Sequence, residues 1–259
     1  VNSQIHKLAK KILNSDSMVV FTGAGMSTES GIPDFRGPSG LWKRYQPVQL
    51  QDFLSSRDAR AEYWRRKIES FPDFRNARPN KGHIALAELY ELDYLKFIIT
   101  QNIDGLHQEA GIPDERVIEL HGTGRYVSCL DCGKRFEWED ILPWFNQDGT
   151  LDPGKDTPAC DYCQGLLKPA TISFGQAMPE KETAEAYIRA AESDLFIAVG
   201  SSLQVYPAAS IPQEAAKSGS FFVIINNEST PLDPMADMVI NGQAGEILGE
   251  TVASIKQDQ

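Results

Sequence analysis

A chain of 259 residues with 41% hydrophobic and 24% charged residues can build one large domain with an appendage or two modest ones, and that balance is ordinary for a globular enzyme. A formal net charge of −11 argues against nonspecific nucleic-acid binding, which needs clustered Lys and Arg; the same charge suits Lys-rich proteins or peptides, or simply keeps the chain soluble. The longest apolar runs are far too short to cross a bilayer, and the first residues lack the basic and then apolar regions of a secretory signal, so no membrane partner and a cytoplasmic location are expected.

In chain order, Ile5, Leu8, Ala9, Ile12 and Leu13 recur at helical spacing, and Asn14-Ser15-Asp16 ends that helix. Residues 17–21 read as a buried strand that stops abruptly at Gly23-Ala24-Gly25. Small residues there let backbone N–H groups approach a phosphate, and a following helix would aim its positive end at that anion. The third glycine of the usual dinucleotide fingerprint is missing, so the motif alone also describes a tight strand-to-helix turn. Ser27, Glu29, Ser30, Asp34 and Arg36 follow, polar groups that a simple connection would not need. Ser27 suits either a phosphate bond or a helix cap, and Asp34 and Arg36 either a ligand or one another.

Residues 37–78 read as a helical insertion. Gly37, Pro38, Gly40 and Pro47 break its start; a helix opens near Ser55-Ser56-Arg57-Asp58 and runs through Ala61, Trp64 and Ile68 to Phe71, bounded by Pro72 and Pro79. Ala85, Leu86, Leu89 and Tyr90 then form a helix face, followed by a strand at 95–100 that ends in Gln101-Asn102-Ile103-Asp104. A shorter strand at 117–120 ends in His121-Gly122. Beyond a second insertion at 125–167 come a helix near 181–191, a strand at 195–199 ending in Gly200-Ser201-Ser202, and a helix at 211–217. A strand at 221–225 ends in Asn226-Asn227-Glu228, and a short strand at 238–240 and a helix at 244–255 close the chain.

The four cysteines all fall in two pairs, Cys129-x-x-Cys132 and Cys160-x-x-Cys163. Two close pairs in a chain expected to be cytosolic read as four thiolate ligands of a structural zinc ion, with no position left for catalysis. The stretch from 133 to 159 exceeds the usual spacing of such modules and predicts an excursion of its own.

Strands alternating with helices predict an α/β fold with a parallel sheet covered on both faces. Besides the strand before His121, four strands end in polar or glycine motifs, Gly23-Ala24-Gly25, Gln101-Asn102, Gly200-Ser201-Ser202 and Asn226-Asn227-Glu228, and in an open sheet of this kind ligands bind beyond the strands' carboxyl ends. Gly200, Ser201 and Ser202 offer small side chains and hydroxyls to phosphate or ribose; Asn226, Asn227 and Glu228 stand where such folds read ribose and adenine. Each group alone would equally make a turn. Of the histidines, His6 lies on the first helix, His83 begins a core helix and His107 follows a strand end, while His121 ends a strand before a glycine that leaves room for a ligand. Imidazole titrates near neutrality and can take a proton from a hydroxyl, which makes His121 the candidate base, with a structural role as the alternative.

The run from Gly23 through Arg36 resembles the cofactor loop of the sirtuins. So do Thr100-Gln101-Asn102-Ile103-Asp104-Gly105-Leu106-His107, Glu119-Leu120-His121-Gly122, the paired cysteines, Phe174-Gly175-Gln176-Ala177-Met178-Pro179, and Gly200-Ser201-Ser202-Leu203-Gln204-Val205-Tyr206-Pro207, in family order over about residues 18–245. The resemblance implies a Rossmann-like parallel-sheet domain (1–36, 79–124 and 168–259) and a smaller zinc-binding and helical domain formed by two insertions (37–78 and 125–167). It implies an NAD-dependent protein-lysine deacylase, with NAD consumed as co-substrate. The acyl-lysine carbonyl oxygen attacks C1′ of the nicotinamide ribose, His121 acts as base on a ribose hydroxyl, and the products are nicotinamide, deacylated lysine and O-acyl-ADP-ribose. Protein mono-ADP-ribosyl transfer at the same NAD site is the alternative.

Carried over by position, the resemblance assigns Gly23, Ala24, Gly25, Ser27, Thr28, Pro33, Asp34, Phe35, Arg36 and Trp42 to the cofactor, with Gln101, Asn102, Ile103 and Asp104 at the ribose and nicotinamide. Gly200, Ser201, Ser202, Asn226, Asn227, Glu228 and Ala244 take the adenosine end, and Asn102 joins His121 in catalysis. Ile103, His121, Phe174, Gly175 and Val205 hold an acyl-lysine protein or peptide as an added strand, and the enzyme is expected to act as a monomer. Two departures concern specificity: Gln176 replaces a common Glu, and Gly37 replaces a common alanine. Tyr63 and Arg66 have the spacing of an acidic-acyl reader, but solvated helix residues are the simpler reading, so deacetylation is the expected activity.

Overall fold

The run Met18-Val19-Val20-Phe21-Thr22 has no polar alternation, and such a strand is stable only where both its faces are covered. In the computed structural model, which describes residues 2–34, 40, 46–146, 148–152 and 155–257, this run is β1 and is buried at every position. The elements in chain order are α1 (Asn2–Leu13), β1 (Met18–Thr22), α2 (Leu50–Ser55), α3 (Arg57–Asn76), α4 (Lys81–Glu91), β2 (Leu95–Thr100), α5 (Leu106–Glu109), β3 (Val117–Glu119) and β4 (Gly122–Cys129). They continue with β5 (Arg135–Phe136), α6 (Trp138–Ile141), β6 (Leu167–Thr171), α7 (Glu180–Glu192), β7 (Leu195–Val199), α8 (Ser210–Lys217), β8 (Phe221–Asn226), β9 (Met238–Asn241) and α9 (Ala244–Gln257).

Six parallel strands form one sheet in the order β3-β2-β1-β7-β8-β9, with Val20 opposite both Ile98 and Ile197. Chain progression runs outward in both directions from the β1–β7 pair, so the crevice beyond that pair is the topological switch point where such sheets bind ligands. One apolar cluster, with Leu8, Ile12, Leu86, Leu89, Ile247 and Leu248, packs α1, α4 and α9 on one face. A second, with Phe21, Phe196, Phe222, Ala186 and Ile211, packs α7 and α8 on the other.

The smaller sheet is antiparallel, ordered β5-β4-β6, with Val127 paired to both Phe136 and Pro169. Phe53, Tyr63 and Trp64 of the helical insertion share one core with Val127, Cys129, Trp138, Ile141, Cys160 and Leu167 of the cysteine-bearing insertion. The Trp64 and Trp138 rings meet edge to face at 6.2 Å, and Phe71 lies 4.6 Å from Trp138. Neither insertion is large enough to bury its own apolar face, and together they make a second core.

Two local expectations change. The helix expected to stop at Pro72 continues to Asn76, with Pro72 inside it. Pro72 removes one donor, but Phe74 packs against the Ile32, Ala77 and Leu106 cluster and Arg75 pairs with Glu139 at 2.6 Å, which holds the last turn in place. The second is the reason for Gly122. Its φ is +67° and a Cβ there would lie 2.1 Å from the Ala170 carbonyl oxygen, so the space beside His121 is taken by the β6 backbone rather than kept for a ligand.

Candidate active site

Gly23 and Gly200 face each other across the β1–β7 crevice. A Cβ on Gly23 would lie 2.8 Å from the Gly200 carbonyl oxygen, and one on Gly25 2.9 Å from Gly200 Cα. Gly200 itself has φ +60°, and a Cβ there would be 2.3 Å from the Met26 amide nitrogen. Gly25 N–H donates to Gly200 O at 2.8 Å. The glycines therefore let two backbone loops close on each other, and that contact shapes the crevice before any phosphate is considered. Ala24 lies between Gly23 and Gly25 and Ser27 follows them, while Ser201 and Ser202 continue from Gly200.

At the end of β2 the polar side chains are ordered by direction of donation. Asn102 Nδ2 donates to Gly23 O at 3.0 Å and to Ser27 Oγ at 3.1 Å, and Ser27 donates to Asp104 Oδ2 at 2.7 Å. Both amide protons of Asn102 are thus committed, leaving its carbonyl oxygen to accept from a ligand hydroxyl. Burial raises the Asp104 carboxyl above its ordinary range, partly offset by the Leu106 amide and the Ser27 hydroxyl. Ser27 thus links Asn102 to Asp104.

His121 follows β3, with Nδ1 3.1 Å from the Gln101 carbonyl oxygen. A carbonyl only accepts, so Nδ1 carries the proton and Nε2 keeps its lone pair. Burial lowers the imidazole below its ordinary value, with the Gln101 bond opposing, so the ring is a neutral base at pH 7. Gln101 also donates through Nε2 to Ser201 Oγ at 2.8 Å, which ties β2 to β7.

Beneath these groups lies a layer that the sequence reading missed. Thr22 bonds both Thr100 Oγ1 at 2.8 Å and His107 Nε2 at 2.9 Å, and Thr100 Oγ1 accepts the Asn102 amide at 3.0 Å. Its only sequence signal is a threonine closing each of two central strands. Two loop residues turn out to be structural. Glu29 Oε2 accepts from Gly245 N at 2.7 Å, capping α9, and Ser30 Oγ accepts from Asn80 Nδ2 at 3.0 Å.

The adenosine-end candidates are brought together in part. Gly25, Thr28, Asn227 and Ala244 line one cleft of about 230 Å³, joined by Glu29 and by Gln243, which sequence reasoning did not single out. Asn226 turns inward on itself, donating to the Glu228 carbonyl at 2.8 Å, and the Glu228 side chain is exposed. Pro33 and Asp34 follow the loop's 3₁₀ turns; Phe35, Arg36, Gly37 and Trp42 lie outside the described residues. Phe174 and Gly175 follow β6 and are exposed, with the Phe174 carbonyl accepting from Leu50 N at 2.9 Å; Val205 is half-buried in the loop after β7. Gln176 Oε1 accepts from Ser173 N at 3.1 Å, a bond that Glu would also make.

The four cysteine sulfurs lie within 4.8 Å of one another, with Cys129–Cys163 at 3.4 Å and Cys132–Cys160 at 3.7 Å. Four thiolates about 2.3 Å from a tetrahedral zinc stand about 3.8 Å apart, so the set fits that ion. Each pair sits on a matching turn: Gly133 N–H donates to Cys129 O and Gln164 N–H to Cys160 O, with φ near +72° and +61° at residues 133 and 164. Tyr63 and Arg66 do not form a paired acyl reader. Tyr63 belongs to the small core, and Arg66 bonds Glu62 at 2.6 Å and the Gln46 carbonyl at 2.5 Å.

Residues 23–207 match the sequence model of the Sir2 family. An "NAD-dependent protein deacetylase" of Rhodopseudomonas palustris is 46% identical over 254 residues, covering 98% of each chain. An "NAD-dependent protein deacylase 2" of Archaeoglobus fulgidus is 40% identical over 258 residues, covering 99% of this chain and 98% of the relative. A solved structure described as "Sir2-p53 peptide-NAD+" superposes with a TM-score of 0.85 at 35% identity, covering 95% of this chain and 96% of the other.

Proposed function

The chain belongs to the Sir2 family, and from that premise we infer that it removes acetyl groups from protein lysines at the expense of NAD. It is an NAD-dependent protein deacetylase or deacylase with a structural zinc site, and acyl-lysine peptides are its substrates. The observation that carries the chemistry is the His121–Gln101 bond, which presents a neutral Nε2 base beyond the end of β3, next to β2, whose end carries Asn102 and Asp104.

The residues fit NAD as a group to be held at both ends. The Gly23–Gly25 and Gly200–Ser202 loops, Asn227 and Ala244 would take the adenosine diphosphate portion, and Asn102, Ile103 and Asp104 the nicotinamide riboside. Bound there, NAD supplies an electrophilic ribose carbon, so no hydride-transfer site is needed. Asn102 offers its carbonyl oxygen to a ribose hydroxyl and orients it. His121 Nε2 takes the proton from a hydroxyl held in this way, while Nδ1–H stays bound to Gln101 and keeps the ring from turning. Phe174, Gly175 and Val205 would hold the peptide, and Phe35, Arg36 and Trp42 keep their assignments to the cofactor.

Cytoplasmic location and action as a monomer without nucleic acid are further parts of this reading. The location is supported by the commitment of all four cysteines to one cluster, which suits a reducing compartment, and the lack of nucleic acid by the net charge of −11. The test is an NAD-dependent assay on acetyl-lysine peptides with His121→Ala alongside. Turnover should fall by about 10²–10⁴-fold with the melting temperature unchanged. Undiminished turnover would remove His121 from the role of base.

A further inference from the structure

Beneath the site, two buried imidazole nitrogens have no hydrogen-bond partner among the described residues: Nε2 of His83 and Nδ1 of His107. His83 lies in the first turn of α4 and His107 in α5, and both side chains are almost wholly shielded from water. Their rings are neighbours, with centroids 4.9 Å apart and planes tilted by 55°. A polar atom orphaned at this depth is costly, so two on adjacent rings call for an explanation.

The other bond of each ring fixes its tautomer. His83 Nδ1 accepts from the Asn80 amide at 3.3 Å, so the His83 proton is on Nε2. Thr22 donates its hydroxyl proton to Thr100 Oγ1 and can therefore only accept from His107. That puts the His107 proton on Nε2 and leaves a lone pair on Nδ1. One orphan is thus a donor and the other an acceptor; with the Thr22 bond reversed, both would be donors. Burial keeps the two rings neutral, lowering His83 to about 4 and lowering His107 as well, with the neighbouring His83 acting in the same sense. Imidazoles joined by an N–H···N bond of about 3 Å have ring centres about 5 Å apart, which matches the spacing found. Histidine χ2 is a broad torsion, so a small turn of either ring lines donor up with acceptor.

The two histidines stand between two holds on one loop. Asn80, whose amide bonds His83, donates through its side chain to Met26 O at 2.8 Å and Ser30 Oγ at 3.0 Å. Asn102, whose amide bonds Thr100, donates to Gly23 O and Ser27 Oγ. A bond between the histidines would join these holds through Thr22 and Thr100, closing a ring of hydrogen bonds around the Gly23–Ser30 loop. We propose that His83 Nε2–H donates to His107 Nδ1, and that His107 is thereby a positioning residue for deacylation, fixing Asn102 against that loop. It acts through Thr22 and Thr100 rather than on substrate. The positioning role rests on the deacylase reading; the bond itself does not.

The bond is read by nuclear magnetic resonance on the zinc-loaded native chain with isotopically labelled histidine, without NAD. His83 and His107 should each carry one ring proton, on Nε2, and the His83 Nε2 and His107 Nδ1 nuclei should be coupled through the proton between them. A proton on His107 Nδ1, or no coupling, would overturn the bond. For the role, His107→Phe keeps a ring without its nitrogens, and His107→Gln restores a donor and an acceptor. With NAD and an acetyl-lysine peptide, His107→Phe should lower kcat about tenfold to a hundredfold and leave the peptide KM little changed, because a slight shift of Asn102 misplaces the ribose hydroxyl. His107→Gln should recover most of that loss. A merely structural histidine would cost melting temperature and leave kcat of the folded protein as it was; that result, or equal kcat in the two variants, would overturn the positioning role. A failed deacylase reading would instead show as no turnover by the native chain while the coupling persists.

Discussion

A single hydrogen bond fixes what His121 can do. Because the Gln101 carbonyl takes the Nδ1 proton, Nε2 is the basic atom, and burial keeps the ring neutral into mildly acidic solution. His121 and Asn102 were legible in the sequence as polar residues at strand ends. Thr22, Thr100 and His107 were not, because their bonds join residues 78 and 85 positions apart and exist only once β1 and β2 are paired. A buried histidine also makes a stability prediction. His83 accepts from the Asn80 amide through Nδ1 in a capping box, its Nε2 has no partner among the described residues, and burial lowers it from 6.5 to about 4. Between those values the unfolded chain binds a proton that the folded chain refuses. Stability is therefore full above pH 6.5 and falls as pH drops toward 4, by about 3 kcal/mol for this gap. His83→Gln, which can keep the cap, should flatten that slope in urea titrations from pH 6.5 to 4; an unchanged slope would assign the loss to other groups.

At the scale of elements, the apolar runs marked the central strands closely, since a strand buried on both faces has no alternation to confuse. The end of α3 was misjudged because Pro72 is a local signal, whereas Phe74 and Arg75 hold the last turn through contacts distant in sequence. The glycine motifs suggest openings for a ligand, yet their first duty is the contact between the Gly23–Gly25 and Gly200 loops, which no single loop's sequence reveals. Gly200→Ala should consequently cost at least about 3 kcal/mol, from a φ of +60° and a Cβ 2.3 Å from the Met26 amide. The urea midpoint should drop with little change in slope. A midpoint within experimental error of the native one would mean that the loops separate freely.

Across the whole molecule, the two insertions depend on each other: Trp64 from one and Trp138 from the other meet in a core that also contains Cys129 and Cys160. Cysteine spacing announced the metal, but the shared core became visible only in three dimensions, because the insertions are separated by β2 and β3. Removing zinc with a chelator, or Cys160→Ser, should abolish the near-ultraviolet signal of these tryptophans while the parallel sheet's far-ultraviolet signal largely persists. Retention of both signals without metal would overturn the structural role of the cluster. NAD is cleaved to carry an acyl group away from lysine, and the mass balance of one reaction with NAD and an acetyl-lysine peptide tests this. Nicotinamide, deacetylated peptide and O-acetyl-ADP-ribose should form in equal amounts; a peptide gaining the mass of ADP-ribose, or deacetylation that proceeds without NAD, would contradict it.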